Sequence, residues 1–165
     1  MFATRIKQGI MGGIMGGVVF GGMMGMMGML PMIGKMVGHP NALVGFLIHM
    51  VISAGIGASF GFLLGPLAKT TPRALISGLA YGSFWWVLGP LTIMPFMMGM
   101  GLGVNWNVAA AQSMLPSLMG HMIFGLVLGF AYNRANKCLI SGIFGLGGKD
   151  KEDSSKEARI APRVI

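Results

Sequence analysis

The stretch Ile10–Ile33, IMGGIMGGVVFGGMMGMMGMLPMI, decides the fold. It carries no charge and no strongly polar side chain. A helix rises ~1.5 Å per residue, so a segment of this length crosses a bilayer core of ~30 Å. Glycine recurs at positions 9, 12, 13, 16, 17, 21, 22, 25 and 28. In water each glycine costs a helix ~1 kcal/mol relative to alanine. In lipid an unpaired backbone group costs several kcal/mol, so the helix forms in spite of them. Gly9, Gly13, Gly17, Gly21 and Gly25 fall four apart on one face, the small-xxx-small spacing that lets two helix backbones approach. This segment is expected at the centre of a bundle.

The composition of the whole chain agrees with a lipid solvent. The 165 residues are 54% hydrophobic and 10% charged, with a mean hydropathy of +0.74. Four long apolar runs predict an all-α integral membrane protein with little mass outside the bilayer. The net charge of +8 does not point to nucleic acid, because the basic residues flank the apolar runs. All four acids, Asp150, Glu152, Asp153 and Glu157, lie near the C-terminal end. Residues 1–149 therefore hold no carboxylate for a proton relay, a metal cage or paired acid–base catalysis. A single cysteine, Cys138, excludes an internal disulfide. The first apolar run is too long for the core of a signal peptide and no A-x-A-like site follows it, so it is read as an uncleaved first helix.

Helices are predicted at about 8–33, 41–65, 73–99 and 113–133, together forming a transmembrane domain over residues 1–137. Gly65-Pro66 stops the second, and Gly89-Pro90 and Pro95 should kink or loosen the third. An apolar segment, 138–148, is too short to span and is expected along the membrane surface. The polar tail 149–165 is expected to be disordered on its own. Arg5, Lys7, Lys69, Arg73, Arg134, Lys137 and the tail's basic residues share one side, and only Lys35 falls on the other. Positive charge collects on the cytoplasmic side, which places both termini there. Trp106 is then an outer interfacial anchor and Tyr132 marks the inner boundary.

The second and fourth helices resemble each other. HMVISAGIGASF (His49–Phe60) aligns with HMIFGLVLGFAY (His121–Tyr132), matching His-Met with His-Met, Gly57 with Gly129 and Phe60 with Tyr132. MLPM at 29–32 aligns more weakly with IMPF at 93–96. The chain reads as two tandem, pseudo-symmetric helical hairpins, with His49 and His121 at one depth.

Those two histidines are the only ionisable groups deep in the apolar spans, and such groups are candidate functional sites by default. Facing imidazoles can ligate a haem from both sides, or each can hold the magnesium of a chlorophyll-type pigment. A second possibility is soft metal: His49, His121, Met50 and Met122 could hold Cu(I), in a setting where fifteen methionines from Met23 to Met122 fall toward the outer half. A third is a protonation switch. Against all three stands the plain reading, in which each histidine is neutral and hydrogen-bonds across the bundle, and methionine is flexible apolar filler. Gly57 and Gly129 join the glycines of the first helix as packing residues. Trp85 and Trp86 are expected to fill space against the glycine faces of the first helix, or to contact a bound lipid or pigment. Asn105 and Asn107 are expected to solvate the outer loop or cap a helix.

YGSFWWVLGPLTIMPFMMGMGL (81–102) followed by LPSLMGHMIFGLVLGFAY (115–132) resembles small prokaryotic four-helix membrane proteins, among them the YagU-like inner-membrane proteins associated with acid resistance. The resemblance implies a four-helix membrane fold and carries over no catalytic residue. Acid resistance is not carried over, because the spans hold no carboxylate to sense or move a proton.

The functional expectation is a non-catalytic integral-membrane accessory or assembly subunit of a larger complex, respiratory or photosynthetic, in contact with lipid and with other subunits or copies of itself. It rests on the missing catalytic set and on more glycine than four helices need among themselves. The alternatives are a small transporter or pore lined by Ser53, Ser59, Ser77, Ser83, Thr92, His49 and His121, and a haem-, pigment- or copper-binding protein using the two histidines.

Overall fold

The computed structural model describes residues 2–160 in backbone and 2–138 in side chain. The elements are α1 (Phe2–Met26), α2 (Leu30–Lys35), α3 (Ala42–Leu63), α4 (Thr71–Leu88), a π-helical turn (Gly89–Ile93), α5 (Met94–Met97), α6 (Val108–Ser113) and α7 (Leu115–Ile160). There is no strand among the described residues. Phe2–Met26, Ala42–Leu63, Thr71–Met97 and Leu115–Cys138 are each long and apolar enough to cross a membrane. The protein is an all-α, four-helix membrane protein. Its outer surface shows Leu43, Val51, Ile76, Phe84, Val108 and Phe130. In water so broad an apolar exterior is an aggregation surface; in lipid it is the required one.

Two of the four spans are interrupted, and the causes are local. The first was expected to run unbroken to residue 33. Instead α1 stops at Met26, because Gly28 takes a left-handed conformation with φ of 67° and Met29 N–H turns back to the Met24 carbonyl at 2.9 Å. That is a Schellman-type end. Pro31, which has no N–H to give, then opens α2. In the third span the Gly89-Pro90 step becomes the π turn, and the Thr92 hydroxyl donates to the Val87 carbonyl at 2.7 Å. Asn41 caps α3 by accepting from Leu43 N–H at 2.8 Å, and Asn107 caps α6 by accepting from Ala110 N–H at 2.9 Å.

Glycine sets which helices touch. A Cβ on Gly9 would strike the Gly57 carbonyl, one on Gly13 the Ser53 carbonyl, and one on Gly17 the Ser53 side chain. These glycines seat α1 on α3. Gly12 and Gly16 lie on a second face of α1, against Leu128 and Phe124 of α7. Gly78 and Gly82 of α4 meet Gly125 and the His121 carbonyl of α7, and Gly129 meets the Ala74 carbonyl. The register that aligns His49 with His121 thus carries Gly57, packed on Gly9 and Gly13, onto Gly129, packed on Ala74 and Gly78. Gly25 makes only an ordinary contact with Leu30, and Gly22 and Gly55 have nothing within 4 Å. Among the described residues most helix glycines are therefore used inside the bundle.

The half of the bundle nearer the N-terminus is solid. Phe60, Leu128, Ala74 and Tyr132 are buried there, with Phe60 and Tyr132 ring centroids 5.6 Å apart. Tyr132, expected at the membrane boundary, is 1% exposed and belongs to this core. Asn133 closes it: its amide donates to the Ala68 carbonyl at 3.3 Å and its Oδ1 accepts from the Thr71 hydroxyl at 3.0 Å.

Met1–Asn133 form one compact unit and Arg134–Ile165 a second, described by itself. The stretch 138–148 and the tail as far as Ile160 are helical, where the sequence reading expects a surface segment followed by disorder. Residues 161–165 lie outside the described residues.

Candidate functional site

The other half of the bundle is hollow. The C-terminal part of α1, α2, the middle turns of α3, the broken end of the third span and the start of α7 surround a cavity of about 530 Å³. Its wall includes Phe20, Trp85, Phe124, Ile33, Ile48, Ile52, Ile56, Pro90 and Ile93, and seven methionines: Met24, Met29, Met32, Met36, Met94, Met97 and Met114. The polar side chains on the wall are His49, His121, Ser53 and Ser117. Met32, Val37 and Met97 are also exposed on the outer surface, so the wall continues to a rim.

Both histidines predicted from the sequence reach this cavity, but in different states. His49 is 7% exposed, and its Nε2 lies 3.0 Å from the Gly17 carbonyl on α1. A carbonyl only accepts, so Nε2 carries the proton and donates. Ser53 Oγ stands 3.4 Å from the same nitrogen. His121 instead turns Nδ1 to its own helix, 2.8 Å from the Ser117 carbonyl. Its proton is therefore on Nδ1, and in the neutral ring Nε2 keeps the lone pair. Among the described residues Nε2 of His121 has no hydrogen-bond partner. It points toward the broken third span, where a Cβ on Gly89 would lie 3.9 Å away.

A single ring, Phe20, touches both imidazoles edge-on, with centroids 5.5 Å from His49 and 4.8 Å from His121. Phe20 fits because Gly120 stands opposite; a Cβ there would strike the phenyl ring. Bis-histidine clamping of one haem needs both imidazoles to offer a free nitrogen to the same iron. Each ring has one nitrogen on a carbonyl, Nε2 of His49 on Gly17 and Nδ1 of His121 on Ser117, and the Phe20 ring lies edge-on against both imidazoles.

The predicted copper set is not assembled either. Met50 and Met122 are absent from the cavity wall. Met50 packs at the α1–α3 contact, its sulfur 3.4 Å from where a Gly17 Cβ would be. A bound soft ion needs its donors to converge at ~2.3 Å from one point. The seven wall thioethers instead line a space sized for a molecule. No group of three or more His, Cys, Asp or Glu that could hold a metal occurs among the described residues.

The hydroxyls proposed to line a pore are mostly bonded elsewhere. Ser59 donates to the Gly55 and Ile56 carbonyls and pairs with the Tyr81 hydroxyl at 2.7 Å. Ser83 donates to the Leu79 carbonyl, and of the set only Ser53 and the histidines reach the cavity. Neither tryptophan packs on the glycine faces of α1, which are filled by α3 and α7. Trp86 Nε1 donates to the Met114 carbonyl at 3.1 Å and ties α4 to the start of α7. Trp85 stacks edge-on against Tyr81 and Phe84 and walls the cavity, its indole N–H buried without a hydrogen-bond partner among the described residues. Trp106 is exposed and donates to the Thr92 hydroxyl at 3.1 Å.

Phe20, Pro90 and Ser117 are wall residues that sequence reasoning missed as site residues. The one sequence signal for them was the clustering of methionine in the same half of every span. Comparison with family models, with curated proteins and with solved structures finds no match to this chain.

Proposed function

We propose that this is a non-catalytic integral-membrane binding protein whose hollow half takes up a lipid-soluble molecule. The observation that carries this reading is the cavity of about 530 Å³. Ligand sites are typically ~300–1,000 Å³, mostly apolar, with a few placed polar groups. This one has an apolar and thioether wall and two imidazoles, each with one ring nitrogen on a backbone carbonyl and the other without a hydrogen-bond partner among the described residues. The absence of any carboxylate in residues 1–149 speaks for binding over chemistry. Most of the described helix glycines pack within the bundle, which favours this reading over that of an assembly subunit. The matching contacts of Gly57 and Gly129 support a duplicated hairpin. The charge distribution supports cytoplasmic termini and a cavity in the outer leaflet.

The test is extraction. The chain is purified from its native membrane in mild detergent, and bound small molecules are identified by mass spectrometry. One apolar molecule recovered near stoichiometry, and lost from a Met94→Trp variant that fills the cavity, is the expected result. Wild-type protein carrying nothing beyond bulk lipid overturns the reading.

A further inference from the structure

We propose that the cavity opens sideways into the bilayer and holds a hydrocarbon chain of an anionic phospholipid, whose phosphate stays at the rim beside Lys35. This rests on the binding reading above and names its ligand class and its way in.

The mouth follows from how the second and third spans part. In the solid half α3 and α4 are tied: the Ser59 and Tyr81 hydroxyls pair at 2.7 Å, and the Phe60 and Tyr81 ring centroids stand 5.5 Å apart. In the hollow half they separate. There α3 is seated on α1 and α2, and it has no extended backbone packing with α4, the π turn or α5. Ile52 on α3 and Ile93 on the π turn each wall the cavity and are also exposed on the outer surface. Met32 on α2 and Met97 on α5 do the same. Residues that face both a cavity and the surrounding solvent mark an opening, and here the solvent is lipid tail.

The wall decides what enters. Apart from two imidazoles and two serines it is hydrocarbon and thioether, which gives a charged or polar solute nothing to bind. Methionine is unbranched and repacks around a flexible chain. An unfilled apolar space forfeits dispersion contacts along its whole lining, and lipid tails are the material at its mouth. A tail leaving the bilayer gains no hydrophobic driving force, because lipid is as apolar as the wall. Selection therefore falls to the headgroup. Lys35 is exposed and ends α2, on the segment whose Met36 and Val37 wall the cavity. It is the only Lys or Arg between positions 8 and 68, and none occurs from 74 to 133. The first carboxylate side chain is Asp150, so none in residues 1–149 competes with a phosphate for it.

The full chain is reconstituted in phosphatidylcholine vesicles carrying a trace of phosphatidylglycerol, or of phosphatidylcholine, with a photoactivatable diazirine in the acyl chain. Adducts are mapped by mass spectrometry after irradiation. The expected result is labelling of the buried wall residues Met24, Ser117 and Phe124, which lipid at the outer surface does not reach. Wall adducts should be about fivefold more abundant from the anionic probe, the scale set by one basic residue beside an anionic surface, and Lys35→Gln should abolish that preference. Ile52→Trp/Ile93→Trp crowds the mouth from the lipid side and Met94→Trp fills the space from within. Both should remove the wall adducts and leave those on the exposed Leu43 and Phe130. Adducts confined to exposed residues, wall adducts that survive a crowded mouth, or equal labelling by the two headgroups overturns the proposal. If a different apolar molecule is extracted from the native protein and lost from Met94→Trp while the wall takes no adduct, the ligand class is wrong and the cavity reading stands. If no molecule is enriched over bulk lipid and the wall takes no adduct, both fall.

Discussion

His49 Nε2 lies 3.0 Å from the Gly17 carbonyl, a hydrogen bond that joins α3 to α1 across the floor of the cavity. It exists because glycine at position 17 lets the two helices close to the point where a side chain can reach the neighbouring backbone. His121, in the equivalent place, bonds within its own helix instead.

Removing that bridge has a modest, measurable cost. His49→Leu keeps the approximate volume and loses the bond. Hydrogen bonds between membrane helices average ~0.6 kcal/mol and reach ~1.7 kcal/mol. A loss of about 1 kcal/mol is expected in reversible unfolding in mixed micelles. An unchanged midpoint would show that the bond contributes nothing.

Glycine substitutions should divide sharply by position. A side chain at Gly57 would collide with the Gly9 carbonyl and with Gly13, both backbone, which cannot move aside cheaply. Gly57→Val should cost at least the ~1–3 kcal/mol typical of overpacking, and Gly129→Val should behave alike against Ala74. Gly55→Val and Gly22→Val meet open space and should stay within ~0.5 kcal/mol of wild type, as exposed substitutions do. Thermal midpoints of the four variants measured side by side check this.

Asn133 is 1% exposed and satisfies the Ala68 carbonyl. Asn133→Leu leaves that buried carbonyl without its amide partner. Such a loss costs ~1–3 kcal/mol per unsatisfied group. The variant should unfold at lower denaturant and show faster amide exchange around residues 68–71.

Gly28 holds φ at 67°, in the left-handed region. Gly28→Ala should cost ~1–2 kcal/mol. There is open space around it, so the penalty is backbone strain alone. Gly22→Ala serves as the unstrained control in the same unfolding assay.

Topology is testable with the native sequence. Cys138 is the sole cysteine and is exposed. With both termini cytoplasmic, a membrane-impermeant maleimide should label it in inverted vesicles and not in intact cells. Labelling from outside intact cells would reverse the orientation and move the cavity to the inner leaflet.

Much of the architecture was legible before any coordinates. Lipid forces each backbone to satisfy itself within a helix, so four long uncharged runs leave only a helical bundle. The stops at Gly65-Pro66 and the loosening at Gly89-Pro90 follow from the missing proline N–H. The matched His-Met motifs placed both imidazoles in one region without any contact information.

Partner choice was not legible. The first span carries two small-residue faces, and periodicity names no neighbour; only packing shows Gly9, Gly13 and Gly17 against α3 and Gly12 and Gly16 against α7. The seating of Phe20 against Gly120, on a different helix, was no more legible, because nothing in the spacing pairs the two. Nor could spacing distinguish the two histidines. A ring's tautomer is set by whichever acceptor stands nearest in space, and for one that is a neighbour's carbonyl, for the other its own helix's.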